Sequence, residues 1–187
     1  MKNETFNRYF MKFLRAVNPL RVSSPARIFL EVELMPRFVP PKGENVLIIG
    51  FRSYNIHYPL FYFKNNITIA DIDKKSEKIL LRGKAVIGRL EDFPVDEYEG
   101  KFSLIHFNGV YGWGIDKKDD MMAAVGVIKK ILRPGGFVIF GHNIKNHNPF
   151  LMELSYKDYF SDLEEIVDRQ LPFINEEFNQ VFRVFKK

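Results

Sequence analysis

Gly43-Glu44-Asn45-Val46-Leu47-Ile48-Ile49-Gly50 is a turn followed by an unbroken apolar run that ends on a glycine. A short apolar run between turn signals marks a strand buried on both faces, and such strands belong to parallel α/β sheets. It is read as the first, central strand. Ligands of open α/β sheets bind beyond the carboxyl ends of the strands, so Phe51-Arg52-Ser53-Tyr54-Asn55 is expected to face a site. That segment lacks glycine. The glycine-rich turn that admits a pyrophosphate in nicotinamide dehydrogenases is therefore missing, and no P-loop motif occurs elsewhere.

Working outward, residues 67–71 are the second strand, 84–88 the third, 102–108 the fourth and 137–141 the fifth. Residues 58–64, 75–82 and about 117–132 have helical character, and Gly83 ends the second of these. The alternation predicts a doubly wound, mostly parallel sheet. Residues 150–160 are expected to be helical. Strand character near 164–169 and 180–185 predicts an antiparallel C-terminal edge, giving seven strands in all.

The chain has 187 residues, no cysteine and a formal net charge of +5. Its length suits one domain, and its missing thiols exclude disulfides and cysteine-based zinc sites. No apolar run approaches the roughly 20 residues that span a bilayer, and the N-terminus lacks a signal-peptide core, so a cytoplasmic protein is expected. The charge is uneven. Seven basic and three acidic residues precede Lys42, a balance of +4 that leaves +1 for the remainder. Residues 4–17 place Phe6, Phe10, Phe13, Leu14 and Val17 at helical spacing as a buried face. Ser24-Pro25 then reads as the cap and first position of a second helix, in which Ile28, Phe29, Val32 and Met35 share a face. These helices are expected to pack on the domain as a lid or buttress. The alternative is a contact through residues 1–38 with a membrane surface or a second subunit.

Leu132-Arg133-Pro134-Gly135-Gly136, closing a helix ahead of a strand, resembles the segment before strand five in class I S-adenosylmethionine-dependent methyltransferases. Residues 46–50 look like the motif I strand, and Asp71 stands where that family keeps the acid ending strand two. Gly88-Arg89-Leu90-Glu91-Asp92-Phe93-Pro94 is similar to the loop that flanks adenine, and residues 102–108 to strand four. The resemblance implies a Rossmann-like methyltransferase domain over residues 42–187, preceded by a helical extension over 1–41. It also implies S-adenosylmethionine as cofactor, with Gly50, Arg52, Asp71, Ile72, Leu90 and Asn108 around it. The family pattern is not followed throughout. Ile48, Arg52 and Tyr54 replace the usual acid and two glycines of motif I, Arg89 stands where an acid often meets the adenine amino group, and Ser103 replaces an aspartate.

Asp71 has a reading of its own, because a carboxylate ending the strand beside the central one can accept both hydroxyls of a ribose. The competing role is a helix cap, for which Asp73 is better placed. The glycine and aromatic loop over residues 108–116 lies, by the resemblance, beside methyl donor and acceptor. Tyr111 in that loop and His142 after the fifth strand are the candidate catalytic residues, His142 as a general base. Trp113 and Tyr111 could equally plug the end of the domain. His106 is expected in the core, and His57 and His147 in loops; four scattered histidines predict no metal site. The expected function is methyl transfer to a small molecule, a saccharide or other cell-surface precursor. A nucleic-acid acceptor is disfavoured by the near-neutral domain. The alternative is an inactive binding or assembly module that has lost the cofactor, motivated by Arg52, Tyr54 and Arg89.

Overall fold

The computed structural model describes residues 2–110, 114–143, 156–177 and 179–187. In chain order the strands are β1 Asn45–Ile49, β2 Asn66–Asp71, β3 Lys84–Ile87, β4 Phe102–Asn108, β5 Leu132–Asn143, β6 Glu164–Glu165, β7 Phe173–Asn175 and β8 Gln180–Lys186. The helices are α1 Lys2–Val17, α2 Pro25–Ile28, α3 Tyr58–Phe61, α4 Lys75–Ile79, α5 Val95–Tyr98, α6 Lys118–Ile131 and α7 Tyr156–Tyr159.

The sheet runs β3-β2-β1-β4-β5-β8-β6, with β7 also paired to β8. Strands β1 to β5 are parallel, and β8 runs antiparallel to β5, β6 and β7. This is the doubly wound sheet with an antiparallel edge that the alternation predicts. Among the described residues the strand count is eight rather than seven, because Phe173–Asn175 pairs with the first half of β8. Three residues carry too little periodicity to announce a strand; the exposed backbone of β8 recruits them.

Successive residues of the central strands serve two cores, as the two-residue period requires. Leu47, Ile49, Ile105, Phe107, Val138 and Phe140 face one core with α6. Val46, Ile48, Leu104 and Ile139 face the other, with the N-terminal helices and α3. Helix α6 docks through Met121, Ala124, Val125, Ile128 and Ile131, which recur at three- and four-residue spacing.

Arg133-Pro134-Gly135-Gly136 is not a free turn but part of β5, where the β4–β5 register shifts. Gly135 N–H donates to Lys187 O at 2.7 Å, and Lys187 N–H to Gly136 O at 3.1 Å. The neighbouring strand thus takes up these backbone groups. Helices α3 and α4 are shorter than the expected 58–64 and 75–82, and of residues 150–160 the described part forms α7.

The N-terminal segment differs most from its periodicity. Helix α1 buries Met11 and Leu14 with Arg15, while Phe6, Phe13 and Val17 face outward. The helix is apolar around much of its circumference, so spacing alone misplaced the inner face. After α2, capped as expected by Ser24 Oγ accepting Arg27 N–H at 3.2 Å, the chain makes a π turn over Phe29–Leu34 and a 3-10 turn over Met35–Phe38. The wider turn buries Leu30, Glu31, Val32 and Leu34 together and leaves Ile28 exposed, unlike a continuous α-helical wheel.

Candidate functional site

The strand order reverses between β1 and β4, and a cavity of about 780 Å³ opens beyond the carboxyl ends of β1 to β4. Gly50 sits at its base with φ +77°, the left-handed region that penalises a side chain. A Cβ there would lie 2.7 Å from Val110 Cγ2. The loops after β1 and β4 therefore pass each other only because residue 50 is a glycine.

Asp71 ends β2 with its side chain 1% exposed. Oδ1 accepts the Asp73 N–H at 2.8 Å and Arg52 Nη1 at 3.2 Å. Oδ2 is buried and without a hydrogen-bond partner among the described residues. Asp73 takes the capping role, its Oδ1 accepting the Lys75 N–H at 2.9 Å, so Asp71 is left to the cavity. Arg52 points into the cavity and also reaches Asp73 Oδ2 at 3.3 Å. Two carboxylates balance its charge, and the side chain is still 41% exposed. A short 3-10 turn over Ser53–Asn55 holds it, with the Arg52 N–H donating to Asn55 Oδ1 at 2.8 Å.

Gly50, Arg52, Asp71, Ile72 and Leu90 all line the cavity. Asn108 is not in the wall; its Oδ1 lies over Gly141, 2.5 Å from where a Cβ would stand. Arg89 borders the cavity, with its exposed side chain turned to Glu91 and Asp120 at 3.6 Å. His142, like Asn108, lies off the cavity. Its ring stacks on Phe140 at 5.1 Å, its Nδ1 is 3.0 Å from Asn143 O, and burial pushes its pKa down. The neighbouring Asn143 does line the cavity, together with Gln180 of β8. Tyr111, Trp113 and His147 fall outside the described residues, although Gly109, Val110, Gly114 and Ile115 on either side of the loop border the cavity.

The wall that sequence reasoning missed comes from the N-terminus. Val22 and Arg27 line the cavity, with the Arg27 guanidinium 4.7 Å over the Tyr54 ring. Arg27 is held from behind. Its Nη1 donates to Tyr58 Oη at 2.8 Å, and Tyr58 donates to Glu31 Oε1 at 2.9 Å. Glu31, 1% exposed, also pairs with Arg15 and lies 3.4 Å from His57 Nε2. Leu20 N–H donates to Asn18 Oδ1, which identifies the Asn18 amide nitrogen that reaches His57 Nδ1 at 3.0 Å. An amide nitrogen donates, so His57 is neutral with its hydrogen on Nε2, facing Glu31. Burial and the nearby Arg15 and Arg27 push the His57 pKa down to about 4. His57 lies in a turn, in keeping with the loop position expected, and is buried there. His106 is in the core as expected, sharing a 2.7 Å hydrogen bond with Tyr62 Oη, and burial takes its pKa to about 3.

No protein-family model and no curated protein matches the sequence. Solved structures do match. N-methyltransferase NodS from Bradyrhizobium japonicum WM9, in complex with S-adenosyl-L-homocysteine, superposes with a TM-score of 0.66 at 15% identity, covering 97% of this chain and 98% of that one. A TehB-like SAM-dependent methyltransferase from Corynebacterium glutamicum gives a TM-score of 0.58 at 20% identity over 79% of this chain and 83% of the other. The aminoglycoside resistance methyltransferase NpmB1 gives 0.55 at 15% identity over 82% and 92%. At these identities the likeness establishes the fold, and proteins sharing it differ in what they act on. The fold therefore leaves the acceptor open and does not disfavour nucleic acid.

Proposed function

We propose, from the premise that this chain has the class I S-adenosylmethionine-dependent methyltransferase fold, that the cavity binds S-adenosylmethionine and that the protein methylates a small molecule. Asp71 Oδ2 carries the reading: a buried carboxylate oxygen without a partner, on a residue lining the cavity at the end of β2. Buried acceptors are normally satisfied, and a ribose offers two adjacent hydroxyl donors for an acid at this position.

The remaining residues suit the rest of the cofactor. Ile72 and Leu90 offer apolar surface to a planar base, and Gly50 allows close backbone approach. Arg52 retains N–H groups for the methionine carboxylate, and its pairing with Asp71 and Asp73 removes the uncompensated positive charge that would oppose a sulfonium. Bound there, S-adenosylmethionine supplies an electrophilic methyl group. The chain's own part is orientation and exclusion of water, which can provide most of the rate in methyl transfer. Tyr54, Asn143 and Gln180 border the space available to an acceptor. A small acceptor is supported by the cavity volume, which is in the usual range for small-molecule sites, and saccharides and other cell-surface precursors are the first class to screen.

Calorimetric titration with S-adenosylhomocysteine tests the reading. Wild type is expected to bind with micromolar Kd, and Asp71→Asn to bind at least tenfold more weakly. Absence of heat at millimolar ligand, from protein shown to be folded, would overturn it in favour of a binding module.

A further inference from the structure

The outer face of α1 is left uncovered although it is as apolar as the inner one. Phe6, Tyr9, Phe13 and Val17 recur along it, each more than half exposed, and Leu20 continues the line past the helix end. The stripe is continuous with the domain. The Phe6 and Phe10 rings are stacked 6.0 Å apart, and Phe10 meets the exposed Phe63 edge-on at 5.6 Å. At its other end the exposed Val22 belongs to the cavity wall. Scattered exposed apolar residues are ordinary, whereas a contiguous aromatic run marks a contact surface.

The charges around the stripe select its partner. Lys12 lies 5.7 Å over the Tyr9 ring and Lys64 lies 5.3 Å over the Phe63 ring, so both ammonium groups sit at the edge of the apolar surface. Exposed Arg21 follows Leu20. None of these three cations has an acidic partner among the described residues. The acids of the segment are committed elsewhere: Glu4 and Glu33 both pair with Arg8, and Glu31 is buried against Arg15. The face therefore offers rings and unpaired cations with no free carboxylate. A second copy docking symmetrically would set this basic face against itself. An anionic bilayer supplies both an apolar boundary for the rings and phosphates for the cations.

We propose that α1 lies in the interface of an anionic membrane, with Phe6, Tyr9, Phe13 and Val17 at the boundary of headgroups and acyl chains and Lys12, Arg21 and Lys64 on lipid phosphates. Among the described residues no helix is long and apolar enough to cross a membrane, so the contact is peripheral. Val22, shared by stripe and cavity wall, sets the cavity beside that surface.

Flotation of the full chain with vesicles tests this independently of any methyl-transfer activity. Vesicles of one part phosphatidylglycerol to three parts phosphatidylcholine are compared with pure phosphatidylcholine at low and at 0.5 M salt. The expected result is at least tenfold stronger partitioning to the anionic vesicles, lost at high salt. A Phe6→Ser, Phe13→Ser variant and a Lys12→Glu, Lys64→Glu variant should each reduce partitioning at least tenfold, with far-UV circular dichroism and the thermal midpoint unchanged because all four side chains are exposed. Equal partitioning of folded variants and wild type would overturn the proposal, as would no partitioning of wild type. So would sedimentation showing a stable dimer that Phe6→Ser, Phe13→Ser converts to a monomer without vesicle binding.

Discussion

Glu31→Gln keeps the volume of a buried side chain and removes its charge. In the wild type Glu31 is 1% exposed and faces Arg15, with Arg27 Nε at 3.8 Å, His57 at 3.4 Å and the Tyr58 hydroxyl at 2.9 Å. The amide can still accept from Tyr58. Arg15, with its side chain 8% exposed, is left without a counter-charge, and Arg27 loses its own. Breaking a buried ion pair from one side costs about 3–5 kcal/mol, a large share of the roughly 5–15 kcal/mol that stabilises a domain. At about 2–4 °C per kcal/mol for a chain of this size, the thermal midpoint should fall by about 6–20 °C. Urea unfolding followed by far-UV circular dichroism measures the loss directly. Adding Arg15→Met to Glu31→Gln should cost at least about 1 kcal/mol less than Arg15→Met alone, because the first substitution has already orphaned the cation. A loss under about 1 kcal/mol for Glu31→Gln, or strict additivity in the pair, would refute the claim that buried charge pairing holds the N-terminal segment together.

Other consequences follow from the same interior. His57 and His106 are neutral in the fold, whereas the unfolded chain protonates them near pH 6.5, so between about pH 6.5 and 4 the unfolded state binds more protons. Stability should be complete above pH 6.5 and decline as pH falls through that window, His57 alone accounting for about 3 kcal/mol at about 1.4 kcal/mol per pH unit. Urea midpoints that do not move between pH 7 and 5 would contradict this, and His57→Asn should flatten the slope. Tyr62→Phe leaves His106 Nε2 unpartnered in the core and should lower stability by about 1–3 kcal/mol in the same urea assay. Gly50→Ala and Gly43→Ala separate backbone strain from contact. Both have positive φ, but only at residue 50 does the added Cβ meet a neighbour, Val110 Cγ2 at 2.7 Å. Gly43→Ala should lose about 1–2 kcal/mol of stability from backbone strain alone and Gly50→Ala more than that, and only Gly50→Ala should also weaken S-adenosylhomocysteine binding, read by calorimetry.

The parallel body of the sheet was readable because its strands are buried on both faces, so residues 46–49 appear as an unbroken apolar run and 102–107 as one interrupted only by Ser103 and His106. Asp71 was readable because a topological rule fixes where an acid must stand. The geometry of Arg52 was not. Motif comparison marks it as a departure, and only its distances to Asp71 and Asp73 make it a balanced part of the cavity. Asn143 and Gln180 reach the cavity through the β5–β8 pairing of residues far apart in the chain.

By itself the sequence determined the succession of strands and helices through the parallel body of the sheet, the acid ending β2 and the capped start of α2, since burial, turn chemistry and capping act over a few residues. Tertiary structure alone decided which face of α1 turns inward, that Glu31 and His57 are buried, and that Arg27 walls the cavity. A helix with apolar residues on two sides has no preferred inner face until the domain presents one. Here the domain presents His57, which meets the Asn18 amide, and Tyr58, which donates to Glu31, and Glu31 in turn pairs with Arg15 of α1.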